Sequence, residues 1–197
     1  MKILIAGATG MVGQALVNAL AADHTLILLG RDALKLKQRF AKHTAIDWQA
    51  FSDTHNPLDD IDVVINLAGE NIGEGRWTAA RKDLIISSRV NATHTLANAC
   101  AHSANKNIRL LNASAIGVYG SIGMPCQIYD EASPLPNPPK DFLSAVGLAW
   151  EQALAPAEQA GIGIVKMRFG VVLSKNGGAL AKMLPAFKFG LGGPIGS

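Results

Sequence analysis

MKILIAGATGMVG, residues 1–13, decides the fold. The apolar run from Ile3 to Ala6 predicts a buried strand, and glycines follow it at three spaced positions. Gly7 can adopt the positive φ of a tight turn, and Gly10 lets the backbone approach a phosphate without a Cβ clash. Gly13 lets the next helix pack closely on the strand. A glycine triad alone also occurs in ordinary loops, but the flanking strand and helix favour a dinucleotide-binding turn.

The helix from about residue 11 to 22 would direct its free N–H groups and its dipole at the phosphates. The turn and the helix start therefore supply six candidate cofactor contacts: Gly7, Thr9, Gly10, Met11, Val12 and Gly13.

Composition narrows the function classes. The 197 residues are 49% hydrophobic and 17% charged, which suits one sizeable core. A net charge of +3 without a Lys/Arg run argues against a nucleic-acid partner. Cys100 and Cys126 lack metal-ligand spacing and are too few for a disulfide framework, so we expect no metal site and a reducing, cytoplasmic location. No apolar run reaches the roughly 18 residues of a membrane helix, so no membrane association is expected.

The second predicted strand, TLILLGRD (25–32), carries the signal for cofactor choice. Arg31 stands 24 positions after Gly7. An acidic residue about 20 positions beyond the turn binds ribose hydroxyls, whereas an arginine there accommodates a 2′-phosphate. Arg31, with Lys35 and Lys37 behind it, thus favours NADP. Two alternatives stay open: Arg31 could merely begin a solvated basic helix, and Asp32 could still bind the ribose of NAD.

Two further strands are predicted at about 45–48 and at 62–69. Asp47 in the first could meet an adenine edge or cap a turn. The second strand ends in small residues, which permit a ligand to approach closely, so Leu67, Ala68 and Gly69 are candidate cofactor contacts. A long helix follows from about 77 to 101, and Asn91 on it is another candidate.

A fifth strand is predicted at 107–120, followed by a Gly/Pro-rich loop to about residue 140 that suits a lid or substrate loop. Asp141 then caps a helix that Pro156 would break or kink near its end. A sixth strand at 163–174 contains Arg168, a further candidate cofactor contact, and another helix begins behind it. Strands alternating with helices predict an α/β, Rossmann-type doubly wound parallel sheet of at least six strands, with helices on both faces.

The motifs carry a family resemblance: GATGMVG, LGRD, NLAGENIGEGRW, SRV, NASAIGVYG, DFL…WE, MRFGVVLSKNGGAL and GLGGPIGS. The chain resembles epimerase-family proteins of YfcH type, which are atypical extended short-chain dehydrogenases/reductases related to nucleotide-sugar epimerases. The resemblance implies an NAD(P)-binding Rossmann domain over residues 1–197. It also implies that a smaller substrate-binding region, present in family members after such a glycine-rich segment, is missing beyond residue 197.

Extended members of this superfamily place a Tyr four residues before a Lys on the helix after the fifth strand, where the pair works as acid and base. When the sequences are aligned on Glu151, those positions fall on Leu143 and Gly147, and a shift by one gives Phe142 and Val146. The usual Ser/Thr position is Ala115. The resemblance therefore implies binding without the usual dyad.

Two NADP(H)-binding functions remain open at this point, while a third alternative, a Rossmann scaffold without a dinucleotide, is disfavoured because all three glycines and the helix start are present. One is an NADP(H)-dependent epimerase or oxidoreductase acting on a nucleotide sugar or small carbonyl compound, with Tyr119 and Ser114 as substitute catalytic groups. The other is an NADP(H)-binding sensor or interaction protein without chemistry. Extended relatives also imply a possible homodimer formed through the helices at 77–101 and 141–156.

Overall fold

Six parallel strands form the centre of the molecule, and the computed structural model describes residues 1–120, 128–175 and 177–193. The strands lie in the order β3-β2-β1-β4-β5-β6. The chain first adds β2 and β3 on one side of β1 and then adds β4, β5 and β6 on the other side. The boundary between β1 and β4 is therefore the switch point, where open α/β sheets bind ligands. The strand bounds are β1 Lys2–Ala6, β2 Thr25–Gly30, β3 Thr44–Asp47, β4 Val63–Asn66, β5 Arg109–Ala115 and β6 Gly163–Phe169.

Helices connect the strands, and short polar side chains begin four of them. Asp32, Asp47, Thr78 and Asp141 each accept a hydrogen bond from a backbone N–H in the first turn of the helix that follows. The capping alternative for Asp47 is thus the one present. The helices are α1 Met11–Leu20, α2 Ala33–Arg39, α3 Trp48–Asp53, α4 Ala79–His102, α5 Phe142–Gln152, α6 Ala155–Gln159 and α7 Gly178–Lys188, with a short 3-10 helix at Ile116–Tyr119.

Both faces of the sheet are covered, which explains the unbroken apolar sequence of β1. Side chains alternate along a strand. Leu4 and Ala6 accordingly pack in one core with α4, and Ile3 and Ile5 pack in another with Val17 of α1. The predicted doubly wound sheet with helices on both faces is confirmed.

Some predicted boundaries are wrong. The helix predicted from Asp141 onward is interrupted near its end, as the proline indicated, but the second helix begins before that residue: Pro156 is the second residue of α6, a position at which its missing N–H costs nothing. The sixth strand ends at Phe169 rather than at 174, and the last residues predicted for the fifth strand form the 3-10 helix instead. Part of the predicted lid or substrate loop, Cys126 and the last four residues lie outside the described ranges.

Candidate functional site

The turn between β1 and α1 is built as the glycine spacing predicts. Gly7 has a φ of +85°, and a Cβ there would lie 2.7 Å from the carbonyl carbon of Leu67, so the turn is pressed against the end of β4. A Cβ at Gly13 would lie 2.3 Å from the carbonyl oxygen of Gly7. Both positions exclude a side chain, and together they hold the helix start against the sheet.

Gly10 is different because its surroundings are open. It is the N-cap of α1, with an ordinary φ of −69°. Among the described residues beyond its chain neighbours, a Cβ there would meet only the Gly7 carbonyl oxygen, at 3.4 Å. The helical hydrogen-bond ladder begins with the N–H of Gln14 donating to the carbonyl of Gly10. The three preceding N–H groups come before that ladder, and no acidic side chain occupies the first turn. This helix end fits a phosphate, and bare backbone at Gly10 leaves room for it.

A cleft of about 480 Å³ opens at this turn, along the carboxyl ends of β1, β2 and β4 and against α4. Its size is ordinary for a cofactor site. Seven of the predicted cofactor contacts line it: Gly7, Thr9, Gly10, Arg31, Leu67, Ala68 and Gly69. The lining also includes Asp32 and Lys35, which the sequence analysis discussed for cofactor choice, as well as Glu70 and Ser88. Trp48, Leu84 and Ala92 line the cleft without having been predicted to do so.

Arg31 and Asp32, which follow the end of β2, make different interactions. Asp32 accepts a hydrogen bond from the N–H of Lys35, and its carboxylate lies 3.3 Å from the Lys35 ammonium. These hydrogen bonds hold the pKa of Asp32 below its ordinary value. Arg31 is 89% exposed, and its guanidinium lies 3.7 Å from the Glu70 carboxylate. Asp32 is therefore occupied as a helix cap, while Arg31 extends over the cleft with only a loose partner.

The other five predicted cofactor contacts do not line this cleft. Met11 and Val12 occupy the first turn of α1, and Gly13 is packed behind the turn. Asn91 is exposed on α4. Arg168 belongs to a separate cluster at the end of β6. A direct contact between these residues and a cofactor stays a prediction.

The two predicted catalytic residues lie in that cluster, outside the cleft lining. The Ser114 hydroxyl donates to the Glu151 carboxylate at 2.7 Å, and the same carboxylate accepts two bonds from Arg168, at 2.8 and 2.9 Å. Arg168 also donates to the Tyr119 hydroxyl at 2.7 Å, which in turn donates to the Asp130 carbonyl. Ser114 is 2% exposed, Glu151 5% and Tyr119 8%. This arrangement ties β5, β6 and α5 together, and the proton-transfer role of Ser114 and Tyr119 stays a prediction.

Charge is balanced inside this cluster. Burial alone would raise the pKa of Glu151, but the hydrogen bonds from Arg168 and Ser114 outweigh it and hold that pKa below its ordinary value. The Glu151 carboxylate in turn raises the pKa of Arg168. The pair is therefore ionised across the physiological range. Glu151 is a residue that the sequence analysis used only as an alignment landmark.

A side chain at Gly147 of α5 would be crowded. A Cβ at Gly147 would lie 3.0 Å from both Cα and Cβ of Val118 in the 3-10 helix. Leu143, at the usual tyrosine position, is 40% exposed and apolar. The alignment that sets the usual lysine at Gly147 and the usual tyrosine at Leu143, and with it the absence of the dyad, stays a prediction.

Two negative findings concern the described residues only. None of their helices is both long and apolar enough to cross a membrane. Within residues 1–120, 128–175 and 177–193, no cluster of three or more His, Cys, Asp or Glu side chains is arranged to hold a metal ion.

A parallel sheet in this strand order, with a glycine turn at its switch point, defines a Rossmann-type dinucleotide-binding domain. The model of the NAD dependent epimerase/dehydratase family matches residues 3–188, and the chain belongs to that family. The expected resemblance to epimerase-family proteins is confirmed by the relatives.

The curated relatives are named epimerase family proteins. One from Mycobacterium bovis, Mb2239, is 38% identical over 99% of the chain and 62% of its own length. YfhF of Bacillus subtilis is 37% identical over 100% of the chain and 63% of its own length. The chain therefore spans somewhat less than two thirds of the length of these relatives.

Solved structures agree. A crystal structure of human epimerase family protein SDR39U1 (isoform2) with NADPH is 32% identical, with a TM-score of 0.84 over 100% of this chain and 63% of that one. A nucleoside-diphosphate sugar epimerase from Corynebacterium glutamicum is also 32% identical, with a TM-score of 0.77 over 100% of this chain and 39% of that one.

Proposed function

We propose that this chain is the NADP(H)-binding part of an epimerase-like oxidoreductase acting on a nucleotide sugar or a small carbonyl compound. The observation that carries the proposal is the combination of an open phosphate cradle at Gly10 with Arg31 on the same cleft. An exposed guanidinium suits a 2′-phosphate, because arginine recognises phosphate by charge-assisted, often bidentate hydrogen bonds. The NADPH in the human relative supports the same choice.

Each part of the cleft has a proposed task. The N–H groups at the start of α1 hold the pyrophosphate, and Arg31 holds the 2′-phosphate. Apolar lining from Leu29, Leu36 and Trp48 excludes water from the adenosine half. When bound, the nicotinamide would supply the hydride acceptor or donor of the reaction.

Tyr119 and Ser114 are the proposed proton-transfer groups. They stand near the carboxyl end of β5, the edge along which the cleft opens, but the network described above now engages both hydroxyls. A proton-transfer role therefore requires the Tyr119 hydroxyl to exchange its Asp130 partner for a substrate oxygen. The role of Tyr119 can therefore be tested with Tyr119→Phe, which removes only the hydroxyl oxygen.

Single-turnover oxidation of NADPH, measured against a panel of nucleotide sugars and carbonyl compounds, tests the enzyme proposal. We expect oxidation with at least one substrate, and a fall of about 10²-fold or more with Tyr119→Phe, the range that general acid–base catalysis contributes. The variant keeps the ring, which stacks on Tyr129 at a centroid distance of 4.8 Å. An unchanged rate in the variant would exclude the role of Tyr119.

One observation favours a second candidate, an NADP(H)-binding sensor or interaction protein without chemistry. Gly147, which the alignment on Glu151 pairs with the usual lysine, packs closely on Val118, and Leu143, which it pairs with the tyrosine, is apolar and 40% exposed. This candidate predicts tight NADPH binding together with no turnover of any substrate in the panel. Robust turnover would exclude it, and absence of NADPH binding would exclude both candidates.

A further inference from the structure

Glu70 is the acidic side chain of the cleft lining beyond the end of β4, and it is surrounded by arginines. Its side chain is 20% exposed, and its backbone N–H donates to the Ser88 hydroxyl at 3.0 Å. A carboxylate at this place opposes the binding of a phosphate on the same cleft. Whether the cleft accepts a 2′-phosphate thus depends on how the charge of Glu70 is compensated.

Arg81 provides the close compensation. Its guanidinium donates to one Glu70 carboxylate oxygen at 2.9 Å, and the Arg81 side chain is only 18% exposed. A second guanidinium nitrogen donates to the carbonyl of Asn71, and the Arg81 backbone N–H is bound by the Thr78 cap of α4. Arg81 is therefore fixed to the same loop as its carboxylate partner, and the pair is held in a mostly buried position.

Arg31 faces the other carboxylate oxygen of Glu70 but is held far less tightly. The distance is 3.7 Å, beyond hydrogen-bond range, and the Arg31 side chain is 89% exposed. Exposed pairs of this kind contribute little, because water screens them and the long side chain keeps its freedom. The Glu70 carboxylate is thus bound tightly by Arg81 and only loosely by Arg31.

Arg89 is a third cation whose charge interacts with that of Glu70, and its own contacts lie elsewhere. It donates to the Ile85 carbonyl at 3.0 Å and stacks on the Trp150 ring, with a centroid distance of 5.0 Å. A Cβ at Gly69 would lie 3.1 Å from its side chain, so the backbone of the cleft packs directly on it. Burial lowers the pKa of Arg89, whereas the charge of Glu70 raises it and that of Arg81 lowers it.

We propose that Arg81 is a positioning residue for cofactor specificity: by neutralising Glu70 it leaves Arg31 available to the 2′-phosphate of NADP(H). The inference rests on the proposed function and deepens it, because it assigns the phosphate preference to three residues rather than to Arg31 alone. Without Arg81, the Glu70 carboxylate draws Arg31 into a closer pair and repels the phosphate. The ribose of NADH, which carries no phosphate there, is not repelled.

The test is the ratio of NADH to NADPH dissociation constants, measured by calorimetry on the whole chain. Arg81→Met is expected to lower this ratio about three- to tenfold, the scale of one lost charge interaction near a surface. Adding Glu70→Gln to Arg81→Met is expected to restore the wild-type ratio, and Arg81→Lys, which keeps the charge, to preserve most of it. A ratio is insensitive to partial unfolding, because a smaller folded fraction weakens both affinities equally.

Lys2→Met serves as the matched control. It removes one positive charge and an ion pair with Asp60 at the amino end of the sheet, opposite the cleft, and should leave the ratio unchanged. A ratio for Arg81→Met within twofold of wild type, or a low ratio that persists in the double variant, would overturn the inference. A wild-type chain that binds NADH as tightly as NADPH, or binds neither, would instead overturn the proposed function and this inference with it.

Discussion

Gly10 and Gly13 stand one helical turn apart at the start of α1, yet a side chain at each would meet a different environment. At Gly10 an added Cβ would approach, apart from its chain neighbours, a single atom of the described residues within 4 Å: the Gly7 carbonyl oxygen, at 3.4 Å. We therefore expect Gly10→Val to leave the melting temperature within a few degrees of wild type while it abolishes measurable NADPH binding, because the side chain takes the place of the phosphate. Thermal unfolding measures the melting temperature, and calorimetry on the same sample measures NADPH binding.

Gly13→Ala is the matched variant with the opposite expectation. Its Cβ would lie 2.3 Å from the carbonyl oxygen of Gly7, a backbone atom that cannot move aside cheaply. Overpacking of this kind typically costs about 1–3 kcal/mol of unfolding free energy. Urea unfolding measures the loss, and wild-type stability in Gly13→Ala would contradict the packing described here.

Residue type and spacing were sufficient to predict the roles of local features, such as the positive φ of Gly7 and the Asp141 cap. Trp48 was missed as a cleft residue, although its neighbour Asp47 was considered for a contact with the adenine edge. It reaches the lining only because β3 pairs with β2 in a register that brings Asp47 beside Gly30. Such a placement depends on sheet pairing, which a local pattern does not encode.

Helix α5 and strands β5 and β6 are joined by the buried Ser114–Glu151–Arg168 network, and its stability should depend on pH. The folded state holds the pKa of Glu151 below its ordinary value. This group's contribution to the unfolding free energy is therefore complete above the ordinary carboxyl pKa and is lost as the pH falls through the lower, folded-state pKa. Urea unfolding between neutral and acidic pH should show this loss.

Glu151→Gln is the variant that isolates this effect. It removes the titrating group, so its unfolding free energy should fall less steeply on acidification than that of wild type. Glu151→Ala should cost about 3–5 kcal/mol at neutral pH, since it leaves the mostly buried Arg168 without its partner. Identical pH profiles for wild type and Glu151→Gln would show that the network does not govern acid stability.

The same network explains why the catalytic prediction could not be refined from sequence. Ser114 and Tyr119 were recognised as polar residues at the carboxyl end of a strand. Glu151, which binds Ser114, is 37 residues further along, on a helix whose position depends on the close contact between Gly147 and Val118. A helix boundary was hard to predict for the same reason. Pro156 indicated that the predicted helix is interrupted, but not that α6 begins one residue before it.

At the scale of the whole molecule, Cys100 reports on global opening. It is fully buried in the core, and burial raises the pKa of its thiol to about 12. In a Cys126→Ser background we expect thiol labelling to require unfolding, and NADPH at 100 times its dissociation constant to slow labelling about 100-fold. Fast labelling that NADPH does not slow would mean that the cleft and this core do not unfold as one unit.

The fold and the family were within reach of the sequence because repeated local signals agreed: apolar strands, a glycine turn and helix caps all indicated one topology. The family match over residues 3–188 and the sheet order confirm that prediction. Charge compensation across the cleft was not within reach, because Arg31, Glu70 and Arg81 come from three separate segments.

The most direct test of the central claim is a set of four calorimetric titrations, wild type and Arg31→Ala, each with NADPH and with NADH. We predict that wild type prefers NADPH and that Arg31→Ala loses roughly tenfold or more of this preference, since a charge-assisted hydrogen bond contributes about 1.5–3 kcal/mol. NADH affinity should stay within about twofold, because NADH has no 2′-phosphate for Arg31 to bind. The same NADPH preference in both proteins would contradict the claim that Arg31 recognises the 2′-phosphate.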